Sequence, residues 1–125
     1  MTYTIVSANN ARITATPNAT MTTLASPTMS ESESSLWIVE MKGGAAGPIH
    51  TMSSDQVWHL LSGEVTCEIA SEVITLEPGD TLRISGGTAR QFRAESDARL
   101  LVSGASDAEA STDNGATSVV PAWIS

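Results

Sequence analysis

Three side chains able to do acid–base or anion chemistry, His50, Gln56 and Arg90, lie in one stretch of this chain. An imidazole titrates near neutral pH and can take or give a proton. A guanidinium stays charged and offers a rigid fork of donors that matches a carboxylate. An amide can hold a carbonyl or a hydroxyl. Brought together, these groups can enolise or protonate a substrate, or hold a flexible polyene or polyketide chain for ring closure. His59 and Cys67 offer nothing beyond structural roles.

Short strands must position them. Trp37, Val39 and Met41 alternate with Ile38, Glu40 and Lys42, which predicts a strand with one buried face. Gln56–Leu61 and Val65–Ala70 flank Ser62-Gly63-Glu64 and read as a hairpin. Val73–Leu76, Thr81–Ile84, Arg90–Ala94 and Ala98–Val102 follow, separated by Pro-Gly, Gly-Gly and polar turns. Upstream, Tyr3–Ser7 and Met21–Ala25 are strand-like, and Ser30–Ser35 reads as a solvated loop. No segment carries a capped 3.6-residue apolar period, so the expected class is all-β, a sandwich or barrel.

With 125 residues the chain is one domain with a sizeable core. A barrel is expected over residues 1–103, a flexible acidic linker over 104–118 and an apolar tail over 119–125. Trp123 and Ile124 are costly to leave in water, so the tail is expected to dock on the barrel or on a second subunit. The net charge of −8 would repel nucleic acid and acidic lipid surfaces, so neither is an expected partner. No apolar run is long enough to span a bilayer, and the N-terminus lacks the pattern of a secretory signal. One cysteine excludes an internal disulfide framework, and the expected location is the cytoplasm.

The spacing of these residues resembles the cupin superfamily. Gly44, five residues, His50-Thr51-Met52, three residues, Gln56, six residues and Gly63 follow the first cupin motif. Gly79, five residues, Ser85-Gly86-Gly87, two residues, Arg90, three residues and Ala94 follow the second, with fifteen residues between the motifs. The resemblance implies a cupin jelly-roll β-barrel. It also implies a site at which cupins place three histidines and a glutamate around Fe, Mn, Ni or Zn. Only His50 is retained from that set; Met52, Gln56 and Arg90 occupy the other positions. A thioether, a neutral amide and a guanidinium do not hold a divalent ion, so neither a catalytic metal nor another cofactor is expected.

Strand alternation puts Gln56, Trp58 and Leu60 on one inward face and Arg90 with Phe92 on another. The expected cavity is lined by Trp37, Met41, Met52, Trp58, Leu60 and Phe92, with His50, Gln56 and Arg90 as its polar, catalytic groups. An inward Arg90 needs a partner, and no other inward position is acidic. A ligand anion can supply it; so can a backbone carbonyl, or Asp55 or Glu64 at the mouth. The methionines and Trp58 also read as packing residues, and His50 as a group bonded into the wall. The expected function is that of a metal-independent cyclase or isomerase of specialised, polyketide-like metabolism. Its substrate would be an anionic or enolisable, largely apolar small molecule. A non-catalytic binding or sensing cupin is the alternative, and a metal-dependent oxygenase or isomerase the third. Edge-strand logic and the resemblance imply a homodimer.

Overall fold

A computed structural model describes residues 2–112 and 118–125. After an extended N-terminal segment and a 3₁₀ turn at Ala8–Asn10, the chain forms β1 (Arg12–Ala15), β2 (Thr20–Ala25), a single helical turn α1 (Pro27–Ser30), β3 (Ser34–Met41), β4 (His50–Met52) and β5 (Gln56–Ser62). It continues through β6 (Val65–Ile69), β7 (Glu72–Leu76), β8 (Thr81–Ile84), β9 (Arg90–Ala94), β10 (Ala98–Ala105), β11 (Ala110–Thr112) and β12 (Ser118–Val119). Two antiparallel six-stranded sheets result, in the orders β1-β2-β3-β10-β5-β8 and β12-β11-β4-β9-β6-β7. They face each other as a jelly roll. The all-β expectation holds, apart from the turn of helix that Ser26 caps by accepting from the Met29 N–H.

The alternation read from the sequence is the alternation of burial. In the first sheet Val39 and Leu60 flank Leu100, and Trp37 and Trp58 flank Val102. All six side chains are buried, with Leu60, Leu100 and Val102 fully so. In the second sheet Cys67 lies opposite Phe92 and Val65 opposite Ala94. One face of each strand thus fills the interior while the other meets water.

Three local expectations are corrected. Tyr3–Ser7 forms no strand; the edge strand is Arg12–Ala15, which pairs with β2. Val65–Ile69 does not form a hairpin with Gln56–Ser62. β5 pairs with β10 and β8, whereas β6 pairs with β7 and β9 in the other sheet. Ser62-Gly63-Glu64 is therefore a crossing between sheets. Gly63 is required there: its φ is +88°, and an added Cβ would run into the Asp97 carbonyl oxygen and lie 2.7 Å from the Ala98 Cα.

The third correction concerns the expected linker. β10 runs on to Ala105, Ala108 is buried, and Ala110–Thr112 pairs with His50–Met52. Small side chains gave this segment no apolar signal, and backbone pairing orders it instead. Residues 113–117 of the expected linker lie outside the described residues. The C-terminal tail docks on its own barrel, with Ile124 fully buried. Four side-chain donors grip its backbone carbonyls: Arg12 to Ala122 (2.9 Å), Thr23 to Trp123 (2.6 Å), Thr28 to Ser125 (2.9 Å) and Ser35 to Ile124. Each bond contributes about 1 kcal/mol and the buried Ile124 about 2 kcal/mol.

Two stability measurements follow from this packing. Gly63→Ala is expected to cost about 2–4 kcal/mol in urea unfolding, through left-handed backbone strain and collision with β10. Gly79→Ala, with φ +96° but open space around it, should cost only about 1–2 kcal/mol; equal losses would refute the crossing-point argument. Cys67 is fully buried, and desolvation pushes its thiol up to about 12. It should react with Ellman's reagent only at the rate of global unfolding.

Candidate functional site

Between the sheets lies a cavity of about 400 Å³. The first sheet lines it with Met21, Trp37, Val39, Met41, Gln56 and Trp58, and the second with His50, Met52, Phe92 and Ala110–Thr112. Its mouth is closed by the Thr16–Ala19 turn, by Gly47-Pro48 and by the tail residues Val119, Pro121 and Trp123. The walls are mostly aliphatic, thioether and aromatic. Trp58 stacks on Phe92 with ring centroids 4.1 Å apart and an interplanar angle of 26°, which gives the cavity a flat, polarisable wall. A wider polar groove on the outside of the barrel runs past Glu40, Lys42, Asp97 and Arg99. There Glu40 pairs with Arg99, and Asp97 accepts from the Gly43 N–H.

Of the residues expected on the cavity wall, Trp37, Met41, Met52, Trp58 and Phe92 are on it, together with His50 and Gln56. Leu60 is not. It shares the inward face of β5, but it is fully buried beneath Trp58's end of the strand, packed beside Leu100. Arg90 is also absent from the wall. It points inward and is almost wholly buried, yet its donors end on protein oxygens. Nε donates to the Thr88 carbonyl (3.0 Å), Nη1 to Gln56 Oε1 (3.1 Å) and Nη2 to the Ser85 carbonyl (3.5 Å).

Among the described residues no carboxylate pairs with Arg90. Asp55, which does not line the cavity, binds Arg83 at 3.5 Å and accepts from the Gly86 N–H. Burial lowers the Arg90 pKa from its ordinary value, although a guanidinium starts so high that it stays charged. Of the partners the sequence left open for Arg90, backbone carbonyls are among those found: among the described residues three neutral oxygens hold it. Arg90 sits behind Gln56, one layer away from the cavity.

His50 is half-buried on β4, directly opposite Arg90 on β9. Its Nδ1 lies 3.1 Å from the Pro48 carbonyl oxygen. A carbonyl only accepts, so Nδ1 carries the proton and Nε2 keeps its lone pair. Desolvation by burial lowers the His50 pKa, and the Arg90 charge adds to that, against a smaller opposing effect of the Pro48 bond. Burial thus favours the neutral ring, whose basic nitrogen is Nε2. An apolar wall around one imidazole base and one buried amide suits proton transfer on a carbon acid.

The donor set also decides against a tightly held divalent metal. Met52 offers a thioether, and Gln56 Oε1 is already taken by Arg90 and by Trp58 Nε1 (3.3 Å). A fixed guanidinium stands next to where the cation would be. Among the described residues no group of three His, Cys, Asp or Glu side chains could hold a metal ion.

Sequence reasoning missed the tail, the Thr16–Ala19 turn and β11 as parts of the wall. The apolar Val119–Ile124 ending marked the tail as a docking element, without marking where it would dock. For Ala110-Ser111-Thr112 and the turn, no residue type gave a signal.

The sequence profile of the cupin domain (Cupin_2) matches residues 37–104, which takes in β3 to β10. No curated protein sequence matches the chain significantly. Among solved structures, an RmlC-like cupin from Shewanella frigidimarina NCIMB 400 aligns with a TM-score of 0.69 at 15% identity, over 82% of this chain and 92% of that one. KdgF from Halomonas sp. aligns with a TM-score of 0.68 at 20% identity, over 80% of this chain and 90% of that one. Salicylate 1,2-dioxygenase from Pseudoaminobacter salicylatoxidans, solved with gentisate adducts, aligns with a TM-score of 0.71 at 14% identity. That match covers 82% of this chain but only 31% of the dioxygenase. At such identities the likeness shows a shared fold. With the profile covering more than half of its residues and both sheets arranged as a jelly roll, this chain belongs to the cupin superfamily.

Proposed function

We propose that this cupin is a metal-independent enzyme of the isomerase or cyclase type, acting on a largely apolar small molecule with an enolisable carbonyl. The observation that carries this reading is His50 on the wall of an apolar cavity, with Nδ1 against the Pro48 carbonyl oxygen and Nε2 left to act as the base. His50 Nε2 takes a proton from the carbon next to the ligand carbonyl. The C–H electron pair moves into the carbonyl to give an enolate, whose oxygen is held by Gln56. Where the carbonyl is β,γ-unsaturated the enolate is a dienolate, and return of the proton from His50 to its γ-carbon gives the conjugated isomer. Alternatively the enolate carbon attacks a second carbonyl of the same molecule, whose C=O electron pair becomes an alkoxide that takes the proton back from His50 as the ring closes. Trp58 and Phe92 hold the unsaturated skeleton flat. A polyketide-like substrate of specialised metabolism fits this chemistry, and the anionic substrate expected from Arg90 is no longer required.

Self-association belongs to the same reading. β1 is an edge strand with Ile13 exposed, and Tyr3 and Ile5 stand exposed in the extended segment before it. A second copy paired at this edge would cover them.

Two experiments test the catalytic reading. Protein purified without added metal is incubated with 2-acetylnaphthalene in D₂O, and deuterium entry at the methyl carbon is followed by mass spectrometry. The wild type should speed exchange, and His50→Gln should lose about 10²–10³-fold of that rate while still quenching tryptophan fluorescence on binding. Binding without exchange would favour the sensing alternative. Exchange that requires a full equivalent of bound metal, read by elemental analysis, would favour the metal-dependent one. In the second experiment the His50 ring is titrated by NMR and should show a midpoint below 6.5. A histidine with a depressed folded-state pKa stabilises the fold fully above pH 6.5, and this contribution is lost as pH falls through the folded-state value. Stability should therefore decline below pH 6.5 less steeply in His50→Gln than in the wild type.

A further inference from the structure

Gln56 is buried, and both of its neighbours donate to the same atom: Arg90 Nη1 at 3.1 Å and Trp58 Nε1 at 3.3 Å reach Oε1. Neither neighbour can accept a hydrogen bond, because a guanidinium and an indole N–H are donors only. Turning the amide over would set its NH₂ group against two donors, one of them charged. The amide is therefore locked with its oxygen toward Arg90 and its nitrogen free of these bonds. Gln56 itself lines the cavity. An ordinary glutamine can rotate to donate or accept as a ligand requires; this one cannot.

We propose that Arg90 is a positioning residue that makes Gln56 a donor-only reader of the ligand. The cavity then selects molecules that present an oxygen acceptor, a ketone, ester or enolate, at Gln56 Nε2, and discriminates against those that present only a donor, such as an N–H, there. This inference rests on the proposed use of the cavity for a carbonyl-bearing apolar ligand, and it supplies the atom that recognises the carbonyl. The Arg90 charge on Oε1 also polarises the amide, so that its N–H groups donate more strongly as negative charge grows on the ligand oxygen. The guanidinium thereby acts on the ligand without touching it. On this reading His50 and Gln56, both on the cavity wall, divide the work: the imidazole accepts a proton and the amide donates hydrogen bonds.

The test compares two probes on the same ring system, 2-acetylnaphthalene with its carbonyl acceptor and 2-ethylnaphthalene without it, by quenching of tryptophan fluorescence. Wild-type protein should bind the ketone about tenfold more tightly. Gln56→Glu keeps an acceptor for Arg90 and Trp58, so the fold should be retained, but it puts a carboxylate oxygen where the NH₂ group was. It should abolish or reverse the preference while binding of 2-ethylnaphthalene changes little. Arg90→Met, which frees the amide to rotate, should shrink the preference, and Arg90→Lys should restore part of it. A merely structural Arg90 would weaken both probes equally and leave their ratio intact. A wild-type ratio near one, or one unchanged in Gln56→Glu, would overturn this inference and leave the cavity reading standing. Failure of both probes to bind the wild type would overturn the two together.

Discussion

A guanidinium buried with no carboxylate partner among the described residues is among the costlier things a small β-sandwich can contain, and the site-bearing end of this barrel is organised around one. Arg90 belongs to the second sheet and Gln56 to the first, so their hydrogen bond joins the two layers through an otherwise apolar interior. The Ser85 and Thr88 carbonyls complete the ring of acceptors and tie the turn between β8 and β9 to the same group. The charge is offset by neutral dipoles held in place by the sheets, which is what lets it persist in a dry interior. Several properties follow from this one group. Gln56 has a single amide orientation, the His50 pKa, lowered mainly by burial, is pushed slightly further down by the nearby charge, and Cys67 feels that charge as a pull opposing its own desolvation.

The cavity has walls of two different strengths. Its sides are the inner faces of paired strands, whose separation would break the ladder bonds and expose the core. Its mouth is made of the Thr16–Ala19 turn, the Gly47-Pro48 loop and the C-terminal tail. The tail is held by side-chain hydrogen bonds and one buried isoleucine, an interaction of a few kcal/mol.

Membership of the cupin superfamily accounts for the frame and leaves the chemistry to be argued from side chains. The position at which cupins carry a metal-binding carboxylate here carries an amide whose oxygen is occupied. The position of the last histidine carries the guanidinium that occupies it. The two departures are complementary: Arg90 needs a neutral acceptor with no metal beside it, and Gln56 needs a fixed donor to orient it. The proposed acid–base chemistry on His50 is argued from these side chains and not from the family.

Much of the frame was legible in the residues alone. Period-two alternation identified β3, β5, β9 and β10 and their inward faces, because burial of one sheet face selects apolar side chains at every second position. The spacing of Gly44, His50, Gln56, Gly63, Gly79 and Arg90 marked the cupin frame. Sheet membership was not legible: a Gly-containing turn between two strands is the same local signal for a hairpin and for a crossing, and only the packing of Gly63 against Asp97 and Ala98 separates them. Ordering of Ala110–Thr112 was invisible because it comes from backbone pairing, which small polar residues neither favour nor forbid. For the site, the sequence singled out His50, Gln56 and Arg90 as candidate polar groups without settling whether Arg90 turns inward. Tertiary structure decided what each of them touches. A buried polar group must be satisfied, but the choice between a ligand, a carboxylate and a neighbouring amide depends on atoms brought together from distant parts of the chain.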